Sequence, residues 1–263
     1  MQGGFWSAIA LTTISGLSTS IGGAVVLMGG NPSTRSLGHM LSFASGVMLE
    51  ISFIDMLPEA VSSIGFFEAN LYFFVGMLLC GSMVYLIPEE DLSKLAGGKT
   101  KDQEKEGSLL RAGMITALGI SLHNFPEGIA VYLSCLRGIG MGLPLAIAIS
   151  IHNIPEGMAV AVPIYAATKD RWQAFKWCTL SGLCEPVGAL IAGVFLTSIL
   201  TEHMVQCSLA MVAGVMVFLC LKELLPTTLK YIDAGEAVIS HMVGMFIIFI
   251  SVHLLSDISG GQI

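Results

Sequence analysis

Charged residues are scarce in this sequence. Asp, Glu, Lys and Arg make up 12% of its 263 residues, whereas hydrophobic residues make up 54%, and the mean hydropathy is +0.79. A typical soluble domain carries about 25% charged residues. The composition therefore argues against a soluble fold and favours a chain whose solvent is the lipid bilayer. The basic residues form no patch that would bind nucleic acid.

The six cysteines form no CxxC pair. Because they are scattered through apolar stretches, we expect them to be small buried residues rather than disulfide partners or a thiolate zinc site. They are Cys80, Cys135, Cys178, Cys184, Cys207 and Cys220. The pattern G-x-x-x-x-G-K-[ST] is also absent, which argues against an ATP-driven pump. We expect no cofactor.

Long apolar runs dominate the chain. A helix needs about 20 apolar residues to cross a bilayer, and the sequence predicts eight such helices in a single polytopic domain, residues 1–263. Their expected ranges are 5–28, 36–58, 66–87, 109–135, 140–163, 174–200, 204–226 and 235–257. Residues 88–110 are polar and of mixed charge, which predicts a cytoplasmic loop.

The placement of Lys and Arg predicts the orientation. If successive helices alternate in direction, every basic residue except Arg137 falls in connections on one side of the membrane. The positive-inside rule places that side in the cytoplasm and both termini outside or in a lumen. The plasma membrane and the endoplasmic reticulum membrane both fit this prediction.

Two internal similarities indicate a repeated plan. The segment HNFPEGIAV from His123 resembles HNIPEGMAV from His152, and GVMLEISFIDMLPEA from Gly46 resembles GVMVFLCLKELLPTT from Gly214. On the predicted topology, the helices of each pair run in opposite directions. Inverted repeats are typical of transporters, whose sites lie between the repeats. We therefore expect an all-α integral membrane protein in a 3+2+3 inverted-repeat arrangement.

The two HN-x-PEG segments carry the candidate metal ligands. Within each segment the His and Glu are four residues apart, so they lie on one helical face about one turn apart. The intervening Pro removes a backbone hydrogen bond and kinks the helix. Imidazoles, carboxylates and weaker carboxamide oxygens suit zinc and also accept Fe²⁺, Mn²⁺ or Cd²⁺. The candidate ligands are His123, Asn124, Glu127, His152, Asn153 and Glu156.

Further acids extend this hypothesis. Glu185, in CEPVG, is an additional candidate ligand, because a buried carboxylate needs a cation or a proton. With it the site holds either two metal ions or one metal ion with protons. Residues nearer the helix ends predict a pathway: Asp55 and Glu59 on the outer side, Glu223 and His241 on the cytoplasmic side. We interpret His39, His203 and His253 as packing residues.

The paired HN-x-PEG segments in the fourth and fifth of eight helices resemble the ZIP family of zinc and iron transporters, in particular its short ZupT-like members. The resemblance covers nearly the whole chain. It implies metal uptake into the cytoplasm, a homodimer and alternating access at a mid-membrane site. It also implies a weak ligand at Met48. Many relatives carry a His-rich tract in the long loop, whereas residues 88–110 contain no His.

The sequence thus predicts a transporter that carries a divalent transition metal, with zinc favoured, into the cytoplasm from outside or from an organelle lumen. Two alternatives stay open at this point. A proton-coupled metal exporter would use the same ligands. An intramembrane metalloenzyme is disfavoured, because HN-x-PE differs from the H-E-x-x-H zinc hydrolase pattern.

Overall fold

The computed structural model describes residues 2–28, 32–86, 101–196 and 199–258, and within these ranges it contains helices and no strand. We number eight helices in these ranges. They are α1 Gln2–Met28, α2 Thr34–Ile64, α3 Phe66–Leu86, α4 Lys101–Arg137, α5 Ile139–Thr168, α6 Arg171–Leu196, α7 Glu202–Thr228 and α8 Ala234–Ile258. Helix α6 is interrupted by a single turn residue, Leu183, between the α-helical parts Arg171–Gly182 and Cys184–Ile191.

The helix ends follow local chemistry. Side chains of Ser33, Asp170 and Thr201 accept hydrogen bonds from backbone N–H groups in the first turns of α2, α6 and α7, as N-cap residues do. Gly65 and Gly138 separate α2 from α3 and α4 from α5, with φ angles of 87° and 141°. Residues with a side chain rarely adopt these angles, so each glycine permits a sharp reversal.

Six of the described helices are long and apolar enough to cross a membrane, namely α1, α2, α5, α6, α7 and α8. A shorter apolar stretch, Phe66–Ser82, lies in α3, and α4 is not among the six. The expected all-helical membrane fold is therefore confirmed, with six candidate spans. Large apolar side chains on the outside of the bundle, such as Phe67 and Ile239, are exposed, as lipid-facing residues are.

The structure differs from the polar loop expected at 88–110 in the last third of that range, where α4 already begins at Lys101. The segment 101–110 is rich in Lys, Glu and Gln, which favour helix, and it contains no Pro. Composition marked it as polar, but polarity does not prevent a helix. Residues 87–100 lie outside the described ranges.

Three of the described helices contain a short π-helical turn. In α6 it is the last described turn, Ala192–Leu196, whereas in α2 it spans Ile51–Met56 and in α7 it spans Cys220–Leu224. The turns of α2 and α7 are each followed within two residues by a proline, Pro58 or Pro226, at the start of the next α-helical part. Single π turns inside α-helices are frequent at functional sites, and these two lie in the related segments that begin at Gly46 and Gly214.

Helix α5 forms the centre of the bundle, since its residues from Asn153 to Ala166 are almost all buried. Glycines allow its neighbours to touch backbone to backbone. A Cβ added to Gly157 would lie 1.9 Å from the Thr19 carbonyl oxygen of α1. Likewise a Cβ on Gly128 of α4 would lie 1.9 Å from the Glu185 carbonyl oxygen of α6. Small residues at such contacts are how membrane helices pack closely.

Ion pairs identify the two ends of the bundle. Arg35 pairs with Glu236, which joins the starts of α2 and α8. Arg137 pairs with Glu202, which joins the end of α4 to the start of α7. We call these ends the Arg35 face and the Arg137 face. Both pairs are partly exposed and fix helix ends rather than the core.

Candidate metal site

The two HN-x-PEG segments face each other in the centre of the bundle. Helices α4 and α5 are antiparallel neighbours joined at Gly138, so the His and Glu of each segment converge from two sides. His123 and Glu156 are fully buried, and Glu127 and His152 are 4% and 7% exposed. The predicted constellation is therefore assembled as one cluster.

Distances within the cluster are short. His123 Nε2 lies 2.9 Å from Glu156 Oε1 and 3.1 Å from Glu127 Oε1. His152 Nε2 makes a hydrogen bond of 2.8 Å with Glu127 Oε1. One donor atom from each of His123, His152 and Glu156 lies within 4.8 Å of the others. Zinc holds such atoms at about 2.0–2.2 Å, so small side-chain movements would bring all three onto one ion.

Several buried acceptors in this cluster lack a hydrogen-bond donor among the described residues. They are Asn124 Oδ1, Asn153 Oδ1, Glu127 Oε2 and both carboxylate oxygens of Glu156. His123 Nε2 is also without an aligned hydrogen bond, despite its short distances to both carboxylates. A buried polar atom left unpaired costs about 1–3 kcal/mol. A divalent cation would satisfy these converging lone pairs together.

The two asparagines are held by their amide nitrogens. Asn124 Nδ2 donates to the Ser181 carbonyl oxygen at 3.0 Å, and Asn153 Nδ2 donates to the Ser15 carbonyl oxygen at 3.0 Å. These bonds fix each carboxamide plane and leave its oxygen available. The carboxamide oxygens can therefore act as ligands without rearrangement of their anchors.

Glu185 occupies a different position from the four central candidate ligands. Asn153 Nδ2 donates to its Oε2 at 2.9 Å, and the Ser15 hydroxyl donates to its Oε1. Each oxygen thus already accepts a hydrogen bond, Oε2 from Asn153 and Oε1 from Ser15, and direct coordination by Glu185 stays a prediction. Nothing in the sequence distinguished Ser15 from other small polar residues in apolar helices, so this partner was missed.

A cavity of about 220 Å³ connects the cluster to the Arg137 face. Glu127 and His152 lie in its lining, and the expected outer acids Asp55 and Glu59 line it as well. Gln206 Nε2 donates to Glu59 Oε1 at 2.8 Å. The cavity thus presents carboxylates along a path that ends at the buried cluster.

The remaining expected pathway residues lie elsewhere. Glu223 is buried in the π turn of α7, and His241 of α8 is partly buried with its Nδ1 lacking a hydrogen-bond partner among the described residues. Neither lines the cavity. Met48 is fully buried in the apolar core of α2. Roles for these three residues stay predictions.

Of the histidines expected to pack, two have ordinary surroundings. His39 Nδ1 lies 2.7 Å from the Ser240 hydroxyl, and His253 stacks on Phe249. His203 differs, because it lies with Glu68 and Cys207 in a second group of metal-ligating side chains. The spacing of four residues between His203 and Cys207 places both on one helical face, which is the one signal of this group that the sequence carries.

The sequence profile of the ZIP Zinc transporter family matches residues 88–255, a range that contains both HN-x-PEG segments. The chain belongs to the ZIP zinc transporter family. This confirms the resemblance, and it confirms that the protein is a transporter rather than an enzyme.

Relatives in this ZIP family match over nearly the whole chain. The zinc transporter ZTP29 of Arabidopsis thaliana is 45% identical over 94% of this chain and 94% of its own length. The protein zntB of Dictyostelium discoideum is 41% identical over 95% of this chain and 82% of its own length. The zinc transporter ZupT of Corynebacterium efficiens is 40% identical, with 94% and 96% covered.

Proposed function

We propose that this protein carries zinc across its membrane into the cytoplasm by alternating access, with the HN-x-PEG cluster holding the ion on its way. The observation that carries the proposal is a set of buried side-chain oxygen and nitrogen atoms that have no hydrogen-bond partner among the described residues. They lie at the inner end of a cavity that reaches one face of the bundle. Zinc is the favoured ion because imidazole and carboxylate ligands suit it and because relatives named as zinc transporters match nearly the whole chain.

Many transporters that work by alternating access are built from two related halves, and matched contacts support the 3+2+3 inverted arrangement. A Cβ on Gly46 of α2 would lie 2.1 Å from the His241 carbonyl oxygen of α8. A Cβ on Gly214 of α7 would lie 1.9 Å from the Phe73 carbonyl oxygen of α3. The same shift in residue number relates Gly46 to Gly214 and Phe73 to His241. Inverted repeats produce such exchanged pairs of contacts.

The central pair of helices follows the same rule. Asn124 of α4 bonds the Ser181 carbonyl of α6, whereas Asn153 of α5 bonds the Ser15 carbonyl of α1. Each half thus anchors one of the two asparagines of the cluster. On this plan α3 and α4 also cross the membrane, which gives eight spans.

The position of the cavity supports loading from the non-cytoplasmic side. The cavity meets the Arg137 face, whereas the other Lys and Arg residues lie in connections expected at the Arg35 face. The positive-inside rule places the Arg35 face in the cytoplasm. Entry of two positive charges into an inside-negative compartment gains about 4.6 kcal/mol per 100 mV, if no proton moves in exchange. Such a gradient favours import over export. The membrane and a homodimeric state remain predictions from the sequence.

The test is zinc-65 flux into proteoliposomes that contain the purified protein. We expect saturable uptake that an inside-negative potential accelerates. The double variant His123→Ala, Glu156→Ala should lose this uptake. Glu236→Gln, which changes only a partly exposed carboxylate at the Arg35 face, serves as the matched control and should transport zinc normally.

The outcomes separate the alternatives. Equal flux in the double variant and the wild type would overturn the site assignment. Direction is read in cells that express the protein: import raises cellular zinc, whereas export lowers it and increases tolerance to added metal. A fall in cellular zinc would overturn the proposed direction while leaving the site intact.

A further inference from the structure

We propose that Glu68, His203 and Cys207 form a second, shallow binding site for zinc or a chemically similar divalent cation. These residues come from the first turn of α3 and the first two turns of α7. Their ligand atoms lie within 4.8 Å of one another. Glu68 is far in sequence from His203 and Cys207, and only the packing of α7 against α3 brings the three residues together.

The individual distances describe an open triad. His203 Nε2 lies 3.1 Å from Glu68 Oε1. Cys207 Sγ lies 3.8 Å from the same oxygen and 3.6 Å from His203 Nδ1. The His203 side chain is 56% exposed and that of Glu68 is 39% exposed, so both can turn toward one ion. Cys207 is 7% exposed, so its thiol lies at the buried base of the site.

The donor set is suited to metal binding. One thiolate, one imidazole and one carboxylate are three of the four ligands of a tetrahedral zinc ion, and a water molecule can supply the fourth. The thiol must release its proton to solvent when the metal binds. A soft thiolate favours zinc or cadmium over Mn²⁺ or Mg²⁺, which prefer oxygen ligands.

This site is separate from the HN-x-PEG cluster but lies near the mouth of its cavity. On α7, Glu202 and Gln206 line the cavity, whereas His203 and Cys207 each follow one of these residues and point to the adjoining face, toward α3. An ion bound by the triad would therefore lie beside the cavity entrance, on the neighbouring face of α7. Its binding does not depend on whether the central cluster transports metal.

The surroundings of the other five cysteines allow a metal–thiolate bond to be assigned to Cys207. Four of them are buried, namely Cys80, Cys135, Cys178 and Cys220. Cys184 is partly exposed, and its Sγ lies 3.7 Å from the Leu180 carbonyl oxygen. Cys184 is therefore the matched control for Cys207.

The experiment is a titration of the purified, detergent-solubilised protein with Co²⁺, followed by the near-ultraviolet charge-transfer absorption of a cobalt–thiolate bond. We expect this band in the wild type and in Cys184→Ser, and its loss in Cys207→Ser. His203→Ala removes a proposed ligand whose side chain is 56% exposed, and it should weaken cobalt binding by about 10-fold or more.

The variant His123→Ala, Glu156→Ala should keep the band, which distinguishes the triad from the central cluster. Absence of the band in the wild type would overturn the proposal. So would a band that persists in Cys207→Ser, or cobalt affinity that is unchanged in His203→Ala.

Discussion

Replacing Gly157 by Ala tests whether close helix contact positions the proposed metal ligands. Gly157 directly follows Glu156, and its Cα faces α1. The added Cβ would lie 1.9 Å from the Thr19 carbonyl oxygen, 2.9 Å from the Thr19 carbonyl carbon and 3.1 Å from Gly23 N. All three are backbone atoms, which cannot move aside as the end of a flexible side chain can.

The required displacement is large for a metal site. Carbon and oxygen atoms need about 3.5 Å of separation, so α1 and α5 must part by about 1.5 Å near Thr19. Metal–ligand distances are set to within about 0.2 Å. Because Glu156 and Asn153 are carried on the displaced helix, we expect zinc affinity to fall by about 10-fold to 100-fold.

The effect of Gly157→Ala on the free energy of unfolding can be predicted independently of its effect on zinc affinity. Alanine is about 1 kcal/mol more favourable than glycine in a helix interior, whereas overpacking costs about 1–3 kcal/mol. We therefore expect Gly157→Ala to be destabilising or neutral. Gly140→Ala in the first turn of the same helix should be neutral or stabilising, because no heavy atom lies within 4 Å of its added Cβ.

The assay pairs zinc titration calorimetry with thermal unfolding in detergent for both variants. The reasoning is refuted if Gly157→Ala binds zinc with wild-type affinity and has a Tm at least as high as that of Gly140→Ala. A loss of affinity in both variants would also refute it, since Gly140 makes no such contact.

Further predictions concern charge and pH. Glu127→Gln keeps the side-chain volume but removes a carboxylate next to both histidines, so zinc affinity by calorimetry should fall about 10-fold or more; wild-type affinity would contradict this. Zinc affinity should also decrease from neutral to mildly acidic pH, because protons compete for the ligands; a pH-independent affinity would contradict it. The backbone N–H of Gln173 holds the pKa of the Asp170 carboxyl below its usual range. Asp170→Ala should therefore lower Tm at neutral pH, and the difference should disappear as the pH falls through that depressed pKa; a constant difference would argue against the cap. Arg35→Gln removes a partly exposed ion pair, so the free energy of unfolding should change by under about 1 kcal/mol. A larger change, measured by denaturant unfolding, would contradict this prediction.

The sequence alone determined the class of the protein and predicted which residues form the core of its candidate site. Apolar runs predict membrane helices because the bilayer leaves few alternatives for the backbone. The four-residue spacing of His123 and Glu127 predicts a shared face because the helical repeat is fixed. These inferences need only local geometry, and the structure places both residues in one buried cluster with His152 and Glu156.

Only the tertiary structure decided which side chains of different helices meet. Whether Glu185 faces a metal or orients Asn153 depends on the packing of α1 against α5 and α6, which brings Ser15 to its carboxylate. The triad that contains His203 likewise depends on the contact between α3 and α7. Periodicity specifies a face of one helix, but the partner of that face is set by packing over the whole bundle.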